Sequence, residues 1–239
     1  MKTTHFKIKI ISAALLIVTI AFAITSCQKD QTITPNDAYN NSSSEKTASY
    51  LFPSNPQLYD KWVAKWWKWD LQFDCAHFPT FDVDGSLQNQ NQSGPIFFLA
   101  GNRHNATLSV KVPAGKAIFL PLATVESDYP CGTAVLDSLD DYTQGFVNTI
   151  TDLSLTIDGH SVGNLSSYEV ISPLFSTAAN ADLANCFDDC ITGNNVKFVA
   201  GGYFCPLKPL SPGSHTIVRH AVAVGGAITY DTVYNITQL

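Results

Sequence analysis

The stretch HTIVRHAVAVGGAITYDTVYNIT, residues 215–237, consists of two β-branched runs, 215–224 and 227–237, on either side of Gly225-Gly226. Val, Ile, Thr and Tyr suit a pleated, half-buried backbone, and a glycine pair supplies the positive φ that a tight hairpin turn needs. The stretch therefore reads as two antiparallel strands. The same pattern recurs upstream: Leu153, Leu155 and Ile157 alternate with polar residues and run into Asp158-Gly159, a second turn of this type. Further runs at 95–100, 107–112, 117–122 and 196–204 are punctuated by Gly, Pro and Asn. The expected fold is mainly β, a β-sandwich of short antiparallel strands.

Two segments break the β pattern. Asn55 and Pro56 form a helix start, and Leu58, Tyr59, Trp62, Val63, Trp66, Trp67, Trp69, Leu71 and Phe73 follow. Positions 59, 62, 63, 66, 70 and 73 share a face, with Lys61, Lys65 and Lys68 largely opposite, so this Trp-rich helix should pack on the sandwich as a lid. Trp67 and Trp69 lie off the stripe, which makes them the candidates for an exposed ligand platform. A second, shorter helix is expected after Ser138, a candidate cap, where Leu139, Tyr142, Phe146, Val147 and Ile150 repeat at helical spacing.

The start of the chain carries an address. Lys2, Lys7 and Lys9 precede an apolar to weakly polar run of 15 residues, 10–24. A helix of that length rises about 22 Å, short of the roughly 30 Å of a bilayer core, so residues 1–26 read as a signal peptide rather than a span. Its end, Ile24-Thr25-Ser26-Cys27, resembles the lipobox of bacterial lipoproteins, in which the cysteine is lipidated and becomes the first mature residue; the bland alternative is an ordinary cleaved signal with a chance cysteine. Gln28-Lys29-Asp30 resembles a surface-export tag of such proteins. Residues 27–49 are rich in Asn, Ser and Thr and read as a flexible tether, leaving 50–239 as a single domain. The implied location is the outer membrane, lipid-anchored at Cys27, surface-exposed or on the periplasmic face.

Three of the 14 basic residues leave with the signal, so 11 stand against 20 acids, a net charge of −9. No basic cluster remains, which argues against a nucleic-acid partner. Five cysteines remain beyond Cys27: Cys75, Cys131, Cys186, Cys190 and Cys205. Outside the cell these are disulfide candidates, and an odd number requires that at least one stays free or pairs outside the chain. Cys186-x3-Cys190 lacks the second close pair that a zinc site needs, so no metal or other cofactor is expected there.

Chemistry is thinly signalled. Glu126 and Asp128 sit in an acid-rich stretch read as a loop after the strand at 117–122, where they could act as an acid and base pair with His104 or His215. Asp82-x-Asp84-Gly85 has a calcium flavour without the remaining positions of a calcium loop. Alternation along 215–224 places His220 with the valines on the apolar face and His215 and Arg219 on the wetter one. Arg103 and His104 follow Gly101 in a stretch read as a loop, Arg103 being a further ligand-binding candidate. No nucleophile elbow, phosphate loop or His-Glu-x-x-His occurs.

Three stretches together carry a resemblance: SGPIFFLAG at 93–101, VPAGKAIFLP at 112–121 and LKPLSPGSHTI at 207–217, after the Trp-rich helix. The chain resembles a family of exported bacterial proteins to which no activity is attached. The resemblance implies a common fold over about 56–237 and keeps an acid where Glu126 stands, while the cysteines at 186, 190 and 205 depart from the pattern. The leading expectation is a non-enzymatic surface lipoprotein that binds a glycan or an envelope protein. The alternatives are a hydrolase using Glu126 and Asp128, and a structural envelope component.

Overall fold

The computed structural model describes residues 50–101, 105–129 and 135–239. The signal peptide, Cys27, the tether, Arg103, His104 and Cys131 lie outside the described residues.

Helix α1 (Pro56–Asp70) starts as its sequence dictates. The Asn55 side chain accepts the Leu58 N–H, and Pro56 occupies the first turn, where no hydrogen bond is lost. Ten strands follow in the order β1 (Ile96–Phe98), β2 (Ala106–Val112), β3 (Ala117–Tyr129), β4 (Thr151–Ile157), β5 (His160–Ser161), β6 (Glu169–Ile171), β7 (Phe175–Ala178), β8 (Asn195–Leu207), β9 (Gly213–Ala223) and β10 (Ile228–Gln238), with helix α2 (Leu139–Val147) between β3 and β4. The mainly β, sandwich-like architecture with a Trp-rich helix is thus present. Ser138 makes no side-chain cap to α2.

The strands form two sheets. One has the order β1-β3-β8-β6, with β7 also on β8; the other runs β2-β10-β9-β4-β5. They are mixed rather than wholly antiparallel: β1 lies parallel to β3, and β2 parallel to β10. Nor are all strands short, since β3 and β8 have 13 residues each. Both expected turns are present. Asp158 and Gly159 take φ of 52° and 77° between β4 and β5, and Gly225 and Gly226 take 62° and 96° between β9 and β10.

Two apolar layers result. Between the sheets, Leu120, Leu122 and Leu207 of one meet Leu108, Ile217 and Tyr234 of the other. On the far face of the first sheet, Phe119, Phe198 and Phe204 meet Trp66, Trp67 and Leu71. The Phe119 and Phe204 rings stack at 5.1 Å, and the Trp66 ring stands edge-on to Phe204 at 6.0 Å. The molecule is a helix on a sheet on a sheet. A disulfide joins Cys75, just past α1, to Cys186, between β7 and β8. Cys190 is also disulfide-bonded, while Cys205 is a buried free thiol facing the inter-sheet layer, its pKa pushed far up by burial.

Candidate functional site

The two tryptophans singled out as a platform are not exposed. Trp67 and Trp69 keep 3% and 5% of their surface. The Trp67 indole N–H reaches Thr124 Oγ1 at 3.3 Å, and that of Trp69 donates to the Gln90 carbonyl at 2.8 Å. A single apolar stripe did not anticipate this because α1 is covered from two sides: by the first sheet, whose Phe98 packs on Trp69, and by the segment 72–95, whose Phe73 packs on the same ring and whose Gln90 carbonyl takes its N–H. The glycan platform at Trp67 and Trp69 is therefore corrected to core packing.

The acid-rich stretch is likewise strand, not loop, since β3 continues to Tyr129 in register with β8. Trp67 marks Thr124 as facing α1, so alternation puts Glu126 and Asp128 on that same face, whereas Ser127 turns the other way to Thr143 Oγ1. Glu126 is half-buried and Asp128 is buried. Asp128, Asp188 and Cys190 have ligand atoms within 4.8 Å of one another, but a disulfide sulfur is not a thiolate, so the trio lacks the soft ligand that a transition-metal site would need. The calcium reading of Asp82-x-Asp84-Gly85 is also corrected. Asp82 is buried, and its Oδ1 accepts the N–H groups of Asp84 and Gly85 while Oδ2 accepts Leu87 N–H and Gln88 Nε2, which fills the carboxylate with protein donors.

The alternation along β9 is the reverse of the expected one. Ile217, Arg219, Ala221 and Ala223 are buried, and Val218, His220 and Val222 face outward. Arg219 can enter the core because β3 is irregular where they meet: the register slips between Pro121 and Ala123, and the carbonyls of Pro121 and Leu122 accept Nη1 at 2.6 and 3.0 Å. Nε donates to Thr232 Oγ1, and Tyr230 lies beneath the guanidinium at 5.8 Å. Gly101 lies so close that a Cβ there would collide with the guanidinium. Asp70, at the end of α1, is wholly buried, and burial pushes its pKa up to about 7 against the opposing hydrogen bonds from Thr80, whose hydroxyl lies 2.5 Å away. The cavity bounded by Trp66, Trp67, Thr80, Thr124, Arg219 and Tyr230 measures about 20 Å³, room for one water and not for a substrate.

His215 does not join Glu126 and Asp128. It lies on the second sheet, whereas those acids face α1 on the far side of the first. Its Nδ1 is 2.8 Å from Asp158 Oδ2, and its Nε2 is 2.8 Å from the Ser211 carbonyl and 3.3 Å from Ser211 Oγ. Serine, histidine and aspartate stand in the order of a nucleophilic triad. However, carbonyl and carboxylate oxygens only accept, so both ring nitrogens carry protons and none can take one from Ser211. Burial opposes that charge, but the bonds to Asp158 and to the Ser211 carbonyl outweigh it and raise the His215 pKa. The group is a clasp, which Tyr50 joins through its hydroxyl on Asp158.

An open apolar site lies at the other end of α1. A groove of about 390 Å³ runs between the first turns of the helix and the ends of β1, β3 and β8. Phe52, Leu58 and Trp62 form one wall, and Ile96, Ala117 and Phe119 the other. Leu58 and Phe52 are 56% and 37% exposed. Pro95, Gly115, Pro206 and Pro209 complete it, so parts of the three stretches that carried the resemblance meet here. Among the described residues no charged side chain lines it. Residue patterns alone did not locate the groove, because it is assembled from four distant segments; the exposed position of Leu58 on the lysine-bearing side of α1 was the one local sign.

No family model matches the chain, and neither a curated protein nor a solved structure does.

Proposed function

We propose that the chain is a lipid-anchored cell-envelope protein whose folded part is a binding module, with the groove at the start of α1 as its binding face. The anchor rests on the lipobox-like end of the signal and on Cys27. The binding role rests on one contrast: Thr80, Thr124 and Arg219 border a cavity of about 20 Å³ and the Asp82 carboxylate and His215 ring are taken up by protein partners, while an apolar groove of about 390 Å³ stands open. A concave apolar site of this size falls in the range of small-ligand pockets. The glycan version, which needed exposed indoles at Trp67 and Trp69, gives way to an apolar ligand. The hydrolase version draws no support from His215, which is held on the second sheet, and its other histidine, His104, lies outside the described residues.

Titration of the full chain with the neutral fluorophore N-phenyl-1-naphthylamine tests the groove. Saturable enhancement that disappears in Leu58→Asp is the expected result, and enhancement unchanged in that variant would refute it. Mass spectrometry of the mature product tests the anchor, with an acylated Cys27 at the amino terminus as the expected outcome.

A further inference from the structure

We infer that the ligand of the groove is a single acyl chain with an anionic head, such as a fatty carboxylate; this rests on the groove reading above. The reason is the charge around an apolar floor. Leu58, Lys61, Trp62 and Lys65 are spaced i, i+3, i+4 and i+7 and so form one stripe of α1. Leu58 and Trp62 line the groove, and Lys61 and Lys65 are exposed beside them. Lys65 Nζ stands 4.0 Å from the centroid of the Trp62 ring, which holds a cation against a side chain of the groove wall.

A third lysine comes from the opposite wall. Residues 113–116 make a turn in which the Lys116 N–H donates to the Pro113 carbonyl and Gly115 takes φ of 75°. Gly115 and Ala117, on either side of Lys116, both line the groove. Among the described residues of α1's first two turns the one acid is Asp60, and its Oδ1 takes the Lys61 backbone N–H. Lys61 and Lys65 therefore stand beside an apolar groove, and Lys116 lies in the backbone turn of its opposite wall, on a chain whose mature part is net acidic, with 11 basic residues against 20 acidic. An apolar chain in the groove removes Leu58, Phe52 and Trp62 from water, and an anionic head meets the lysines; a cationic or neutral head gains only the first of these.

A concave groove takes one chain from solution, whereas a bilayer surface would ask for a projecting apolar face. The experiment compares three ligands with the same tail, dodecanoate, dodecanol and dodecyltrimethylammonium, on the full chain carrying Cys27→Ala, so that no acyl group of its own competes. Dodecanoate is expected to bind about tenfold more tightly than the cationic ligand, with the margin shrinking as salt rises. The triple variant Lys61→Gln, Lys65→Gln, Lys116→Gln should bring the two to the same affinity while leaving dodecanol binding in place. Equal affinity for all three in the parent protein overturns the anionic ligand and leaves the groove reading standing. Binding of none, with no response to N-phenyl-1-naphthylamine either, overturns both. Sedimentation with phosphatidylglycerol vesicles that is lost in Leu58→Asp, without dodecanoate binding, overturns the proposal in favour of a bilayer.

Discussion

Toward its C-terminal end α1 buries Trp66, Trp67, Trp69 and Asp70, and every indole N–H there has a partner, whereas its first two turns leave Leu58 and Trp62 facing a groove. The first region contains the groups that ordinarily suggest catalysis: carboxylates, an arginine and a perturbed acid. The second has no charged side chain in its lining among the described residues. Perturbed pKa values and buried charge mark functional sites only when solvent or substrate can reach them. Here the buried charges answer a structural need, since Arg219 satisfies the Pro121 and Leu122 carbonyls where the β3 ladder is irregular.

Breaking the polar region should therefore cost stability rather than binding. Arg219→Leu removes the donor to two buried carbonyls and to Thr232, and a loss of about 3–5 kcal/mol is expected from removing one member of a buried charged network. Urea unfolding followed by tryptophan fluorescence reads it; a loss within about 0.5 kcal/mol would mean that the guanidinium is not what holds β3 to β9.

Asp70 makes a prediction with a sign. Its folded pKa is raised to about 7 from an ordinary value of 3.8, so between those limits the folded state holds a proton that the unfolded chain has released. Stability must fall as pH rises through that window, by up to roughly 4 kcal/mol for a fully realised shift, and level off above it. Asp70→Asn should flatten that part of the profile, read as the difference between the two proteins' urea midpoints at pH 4.5 and 7.5. The His215–Asp158 clasp acts on either side of it. The raised His215 pKa gives stability that is present below about 6.5 and lost as pH climbs through the folded value. Burial of Asp158 works against its charge, but hydrogen bonds from His215 and the Thr216 N–H lower its pKa, so its share is present above about 3.8 and lost in acid.

Next in size is the disulfide between Cys75 and Cys186, which closes a separation of 111 residues. Replacing both by Ala should cost about 2–4 kcal/mol through the freedom returned to the unfolded chain. The span ties the segment after α1 to the approach to β8, so the loss should also raise hydrogen exchange at 72–78 more than in the second sheet.

Which features were legible follows from how local their signals are. The Asn55-Pro56 start, the Asp158-Gly159 turn and the Gly225-Gly226 turn depend on neighbouring residues, and their sequence readings agree with the structure. The face of β9 was misread because an arginine among valines counts as polar in any alternation, and only the β3 carbonyls, about a hundred positions away, explain its burial. The stretch at 126–129 was misread as loop because acids are depleted from strands, yet pairing with β8 carries the strand through them. Asp70 had a visible sign, a carboxylate on the apolar stripe of α1. The groove had almost none, since Phe52, Leu58, Ala117 and Pro206 come together only in the tertiary fold.

The smallest effect on stability belongs to the residue whose loss should matter most for binding. Leu58 is 56% exposed and makes no hydrogen bond through its side chain, so Leu58→Asp should change unfolding by no more than about 0.5 kcal/mol. An acid there also falls in the first turn of α1, next to the positive end of the helix dipole, which offsets part of the lost packing. The same change sets a negative charge on the groove wall beside Lys61 and Lys65, where it desolvates poorly and competes for the lysines. Intact stability with abolished ligand binding would separate the two ends of α1 by function as well as by polarity. Intact binding would mean that the open groove is not where the protein meets its ligand, and the contrast between the regions would then be one of packing alone.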